Sequence, residues 1–104
     1  TLDIDVSIAS GLLGGFGRLP FEICKRTLDN TFLVDDREII EAMVAIQQDE
    51  QVMAEPASSV GLAALLAGKI ELKNKKVVLV ITSRNINTTT FNRLIQKVPD
   101  NVLA

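Results

Sequence analysis

The chain has 104 residues, of which 47% are hydrophobic and 23% charged, and its formal net charge is -2. These figures describe one globular domain or part of one, not a disordered segment. They leave no basic face for phosphate backbones and no Trp or Tyr for base stacking, so nucleic-acid binding is not expected.

No apolar run approaches the ~20 residues of a membrane helix, so no membrane association is expected, and no secretory pattern opens the chain. The first residue is Thr rather than Met, which points to further sequence upstream. With no histidine and one cysteine, Cys24, an internal disulfide, an ordinary zinc site and a Cys-His or Ser-His nucleophile all fall away, and no metal is expected. A single thiol fits a reducing cytoplasm. Beside Ile23 it reads as a small buried hydrophobe.

In chain order, Leu2, Ile4, Val6 and Ile8 alternate with polar residues, which predicts a half-buried strand or an extended approach segment. Gly11, Gly14, Gly15 and Gly17 then resist regular structure and allow close backbone approach. Pro20 opens a predicted helix, "PFEICKRTL", with Phe21, Cys24 and Leu28 on one face. "NTFLVD" reads as a short strand. Asp35 with Glu38 resembles a capping box, and the helix after it sets Ile39, Ile40, Met43, Val44 and Ile46 along one side. Its outer face carries Glu41, Gln47, Gln48 and Asp49.

Pro56 is placed to start the next helix, "PASSVGLAALLAG", which is small and apolar nearly all round and so is expected to be covered on more than one side. Gly68 is its natural stop. Val77-Val78-Leu79-Val80-Ile81 is an apolar run without alternation, the pattern of a parallel strand covered on both faces. Thr88 to Thr90 cap a last helix carrying Phe91, Leu94, Ile95 and Val98. Pro99 ends that helix and leaves "DNVLA" as a tail. Strand and helix alternate throughout, so the fold class is α/β, with no internal domain boundary.

Three stretches carry candidate chemistry. Open α/β sheets bind ligands at the carboxyl ends of their strands, which is where Thr82, Ser83, Arg84 and Asn85 fall. The same stretch also reads as a polar strand-to-helix turn with no ligand. "GLLGGFG" has no Gly-Lys-Ser/Thr and opens no dinucleotide fingerprint, so by itself it is a flexible loop. Glu55, just before a Pro-led helix, serves either a site or the positive end of that helix.

Taken together, "SIASGLLGGFGRLPFEI", "VDDREIIEAM" and "AEPASSVGLAALLAGKIELKNKKVVLVITSRNIN" resemble the C-terminal part of the threonine/serine dehydratases and serine racemases. These are fold-type-II enzymes dependent on pyridoxal phosphate. The similarity covers about residues 6 to 97 in the same order and spacing. It implies a three-layer piece of the family's large, cofactor-binding domain, with mostly parallel strands and flanking helices.

Carried over by position, Asn85-Ile86-Asn87 matches the family's Asn-Ile-Asp. That sets Thr82 where the family has the Ser whose hydroxyl meets the pyridine nitrogen. A hydroxyl, unlike a carboxylate, does not force that nitrogen to stay protonated, which suits β-elimination. Glu55 matches the glutamate near the cofactor, and Ser10-Gly11-Leu12 the loop lining the cofactor and substrate pocket. Ser83 and Arg84 replace two family glycines, and Ser83 is an alternative partner for the ring nitrogen. Ser10 stands where Asp is common.

The resemblance implies a lyase that removes the β-hydroxyl of a small hydroxy amino acid. The family's Schiff-base lysine, phosphate-cradling loop and substrate-carboxylate loop lie upstream of the matching stretch. Lys69, Lys73, Lys75 and Lys76 lack the lysine's context and read as surface charges. No catalytic residue is therefore expected within this segment, which is expected to be inactive alone. An exposed apolar face is expected, driving self-association or pairing with the missing N-terminal part or another chain. The competing readings are a free-standing non-catalytic α/β interaction or regulatory domain and a small-molecule sensor using the same pocket.

Overall fold

The computed structural model describes residues 7–15 and 17–97. Its spine is the second of four α-helices: α1 (Arg18–Thr27), α2 (Asp36–Glu50), α3 (Val60–Leu66) and α4 (Thr88–Ile95). Short 3₁₀ turns at Ser10–Leu12 and Pro56–Ser59 complete the regular structure of the described residues.

The start of α2 is fixed by the capping box that the sequence predicts. Asp35 Oδ1 accepts the Glu38 N–H at 2.8 Å, and Glu38 Oε1 accepts the Asp35 N–H at 2.9 Å, so two otherwise orphaned donors are satisfied. Ile39, Ile40, Ala42, Met43, Val44 and Ile46 are buried. Together they wrap much of the helix, because α3, α4 and the Pro56–Ser59 turn all pack on it. Ile39, Ala42 and Met43 join Ala9, Ala63, Phe91 and Leu94 in one cluster. Burying a side chain such as Met43 or Phe91 contributes about 1.5–3 kcal/mol.

The predicted helix from Pro56 divides in two. Ser58 N–H and Ser59 Oγ–H both donate to the Glu55 carbonyl, at 3.1 and 3.0 Å. The i−3 bond tightens Pro56–Ser59 into a 3₁₀ turn before α3 begins. At the other end Gly68, at φ 72°, donates to Leu65 O while Lys69 N–H donates to Ala64 O, both at 3.1 Å. This is a Schellman stop, and its left-handed residue favours glycine. α4 is capped by Asn87 rather than by Thr88 to Thr90: Asn87 Oδ1 accepts the Thr90 N–H at 2.8 Å. Val98, Pro99 and the tail lie outside the described residues.

The strands are where sequence and structure part. Among the described residues there is no β-strand. The expected three-layer piece with mostly parallel strands is therefore not seen. The molecule measures 41 × 35 × 20 Å, and 20 Å is the depth of two helix layers of about 10 Å each. Residues 30–35 and 77–81, where strands are expected, carry no regular structure. A strand is defined by hydrogen bonds to a neighbour, and neither segment has one. The alternation at Leu2, Ile4 and Val6 lies outside the described residues.

The run at 77–81 also differs from expectation in its cover. Val78 and Val80 are 89% and 75% exposed. Leu79, on the opposite side, comes close enough to α3 that a Cβ on Gly61 would sit 3.4 Å from its Cδ2. One face is partly covered and the other is bare.

Two smaller corrections concern α1 and the lysines. No residue of α1 is buried. Cys24 is half-buried and borders an open cleft with Phe21 and Leu28, so the expected apolar face exists without a covering element among the described residues. Lys69 is not an ordinary surface charge: its Nζ donates to the Leu33 carbonyl and to Glu38 Oε1 at 2.8 Å. It thereby ties the end of α3 to the start of α2. No helix among the described residues is long and apolar enough to cross a membrane.

Candidate functional site

The expected site residues come from three places: the turn at Ser10–Leu12, the turn that Glu55 opens, and the polar tip after Ile81. The first is anchored from α2. Asp36 Oδ1 accepts the Ser7 hydroxyl at 2.9 Å and the Ile8 N–H at 3.3 Å, while Ser7 Oγ accepts the Ala9 N–H at 3.1 Å. Ala9 is then buried in the core, and the Ser10–Leu12 turn lies against Pro56–Ser59. That approach favours Gly11, because a Cβ there would stand 3.2 Å from Ala57 Cβ, a tight contact that would push the two turns slightly apart.

The tip is joined to the Glu55 turn by backbone and hydroxyl bonds. Glu55 N–H donates to Ser83 O at 3.2 Å. Ser83 N–H donates to Ser58 Oγ at 2.8 Å. Ser58 Oγ and Thr82 Oγ1 are hydrogen-bonded at 2.9 Å. Ser83 Oγ accepts the Asn85 N–H at 2.9 Å, folding the tip back toward α4.

A cleft of about 360 Å³ opens where these pieces meet, within the size range of small-molecule sites. Ser10, Glu55 and Asn85 border it, with Ile8, Asn87 and Thr90 among its other walls. The structure thus brings Ser10, Glu55 and Asn85 around one space. Thr82 and Ser83 are not among its lining residues: Ser83 is tied to the lining residue Glu55 by its carbonyl, and Thr82, which is exposed, bonds to Ser58. Gly11 and Leu12 are not among the lining residues; Gly11 packs on Ala57 and Leu12 is exposed. Glu55 precedes the 3₁₀ turn but makes no side-chain cap bond, so the helix-end reading of this residue has no hydrogen bond behind it.

Ser58 is the residue that sequence reasoning missed. Its signal was a pair of hydroxyls in an otherwise small and apolar helix. Ser59 satisfies its own by bonding back to Glu55 O, whereas Ser58 spends its oxygen on the tip.

The donor set suits one end of an aromatic cofactor. The Ser10 hydroxyl, the Asn85 amide and the Glu55 carboxylate border the cleft and can meet a ring nitrogen or ring substituents, while the Thr82 hydroxyl lies outside its lining. Among the described residues no lysine or arginine borders the cleft, so a phosphate dianion would need a cradle from other residues.

Residues 1–83 match the family described as pyridoxal-phosphate dependent enzyme. Among curated proteins the chain is similar to an L-threonine ammonia-lyase of Thermotoga maritima, 38% identical over 78% of this chain and 20% of that protein. It is also similar to the catabolic L-threonine dehydratase TdcB of Escherichia coli, 34% identical over 75% of this chain and 24% of the other. The biosynthetic L-threonine dehydratase IlvA of Halalkalibacterium halodurans is 33% identical over 79% of this chain and 20% of its own length. The chain spans about a fifth to a quarter of the relatives it matches. The family match, reached independently of the geometry, covers both the Ser10–Leu12 and Glu55–Ser59 turns and runs to the Thr82–Ser83 tip, and on that ground the chain belongs to the pyridoxal-phosphate-dependent enzymes.

Proposed function

We propose that this chain is the part of a threonine dehydratase-type lyase that holds the ring edge of pyridoxal phosphate, and that the substrate is a small hydroxy amino acid. The observation that carries this reading is the joining of the Thr82–Ser83 tip to the Glu55–Ser59 turn through Ser58, beside a cleft bordered by Ser10, Glu55 and Asn85. When bound, the cofactor supplies the electron sink that lets a hydroxy amino acid lose its α-proton and β-hydroxyl. The enamine so released is hydrolysed in water to a 2-oxo acid and ammonium.

The chain's own residues position and tune. Thr82 offers its hydroxyl to the ring nitrogen, Glu55 stands beside the ring, and Ser10 and Asn85 wall the cleft, with Gly11 keeping the Ser10 turn close. The lysine that joins the cofactor and the cradle for its phosphate come from other sequence of the same protein or from another chain. The bare face of residues 77–81 supports that arrangement, since an exposed apolar segment with no strand partner among the described residues can accept a neighbouring strand. Pairing there would rebuild the parallel sheet that the apolar run predicts. Without a covering strand, the same face favours self-association. The lone thiol of Cys24 suits a reducing cytoplasm.

The test uses the complete protein loaded with pyridoxal phosphate and assayed for 2-oxo acid formation from L-threonine and L-serine. Thr82→Ala is expected to shift the absorption of the bound cofactor and to lower turnover roughly 10- to 100-fold, the effect of losing one hydrogen bond of about 1.4–2.8 kcal/mol. An unchanged spectrum and turnover in Thr82→Ala, or no 2-oxo acid from either substrate with the parent protein, would overturn the assignment.

A further inference from the structure

Ser58 has one hydroxyl proton to place and, in the hydrogen-bond network around it, one acceptor that takes it. The residue is only 5% exposed, so water does not serve it freely. Its Oγ already accepts the Ser83 N–H at 2.8 Å, and an N–H can only donate. The neighbouring Ser59 returns its proton to the Glu55 carbonyl; Ser58 has no such backbone bond and meets Thr82 Oγ1 at 2.9 Å instead. A buried hydroxyl proton left without an acceptor is penalised. Either hydroxyl could donate across this contact; the direction that leaves no buried proton unplaced is Ser58 O–H to Thr82 Oγ1, with the Thr82 proton turned away from Ser58.

We propose that Ser58 is a positioning residue that makes Thr82 a hydrogen-bond donor. The polarity runs one way, from the Ser83 N–H to Ser58 and from the Ser58 O–H to Thr82, leaving the Thr82 O–H as the outward end. An isolated threonine hydroxyl both donates and accepts, and would meet a protonated or an unprotonated ring nitrogen equally. Held by Ser58, it matches only a nitrogen that still has its lone pair. Ser58 thereby biases the bound ring toward its unprotonated form without touching it. This inference rests on Thr82 being the ring-nitrogen partner, and the experiment separates the two.

The complete protein is loaded with pyridoxal phosphate labelled with ¹⁵N in the ring, and the ring-nitrogen resonance is followed against pH. Thr82→Val removes the donor and is expected to raise the pH at which the nitrogen protonates. Ser58→Ala frees Thr82 to rotate and accept, and is expected to raise that midpoint by about one pH unit, the scale of one hydrogen bond. Ser58→Thr, which keeps a hydroxyl, is expected to restore it. If Thr82→Val moves the midpoint and Ser58→Ala does not, the relay is wrong and the Thr82 contact stands. If neither moves it, the Thr82 contact is wrong and the relay falls with it. Should Ser58→Ala fail to fold, Ser58→Cys keeps nearly the same volume with a weaker donor. A smaller shift in the same direction is then expected, and an unmoved midpoint overturns the proposal.

Discussion

Two largely apolar stretches end in opposite environments. Residues 39–46 of α2 supply much of the core, with Met43 fully buried. Residues 77–81, every one of them branched and aliphatic, leave Val78 and Val80 mostly exposed. The difference lies in where each backbone finds its hydrogen bonds. A helix closes its own i to i−4 ladder, so α2 forms as soon as α3 and α4 cover its side chains. A strand has no ladder until another strand supplies one. Apolar content makes both segments candidates for burial, but only the helix meets its polar requirements with what lies nearby.

Removing a core side chain tests the buried half of that contrast and carries the largest effect. Phe91 of α4 is fully buried against α2 in the main cluster. Phe91→Ala is expected to lower the unfolding free energy by about 3–5 kcal/mol, as measured by urea denaturation followed by circular dichroism. A loss no larger than that of an exposed valine would mean that α4 does not close the core.

The exposed half is sharpened by a charge placed on its bare face. Val80→Lys in this chain alone is expected to change stability by no more than about 0.5 kcal/mol, as an open surface position does. If residues 77–81 pair inside the complete protein, the same lysine enters a covered sheet. The expected cost there is about 2–4 kcal/mol, with cofactor content falling in parallel. Equal, small effects in both settings would show that nothing covers this face.

These contrasts mark what the sequence makes legible. The capping box at Asp35 and Glu38, the apolar side of α2 and the stop at Gly68 are local, because each needs only a few neighbouring residues to be satisfied. The strand at 77–81 was legible as a strand sequence but not as a strand in this structure, since pairing depends on residues far away. Glu55, Ser10 and Asn85 come to one cleft because the glycine-rich turn and the polar tip both fold onto the Glu55–Ser59 turn, and the resemblance gave that order before the geometry did. Ser58 escaped because a serine in a small-residue helix carries no spacing signal. Its importance comes from Thr82 and Ser83, 24 and 25 positions later in the chain. Lys69 escaped for the same reason, being paired with residues more than 30 positions away.

The smallest expected effect concerns how firmly α2 is held at its start, independently of any cover over residues 77–81. The Lys69 ammonium, and after it the Asp35 N–H, hold the Glu38 carboxyl below the usual carboxylate range, against a weaker opposing effect of burial. A carboxyl whose folded value is depressed binds fewer protons when folded than when unfolded. Its contribution is therefore complete above the unfolded glutamate value and fades as pH falls through the folded one. Glu38→Gln keeps an acceptor for the cap but cannot titrate. The stability of the parent chain is expected to decline more steeply than that of Glu38→Gln as pH is lowered through the acid range, with the two curves running parallel near neutrality. Because the carboxylate reaches solvent and its partner is an exposed lysine, added salt is expected to narrow the gap. Curves that stay parallel down to acid pH would show that the Lys69 bridge does not hold the helix start in solution. The tie between the end of α3 and the start of α2 would then reduce to packing alone.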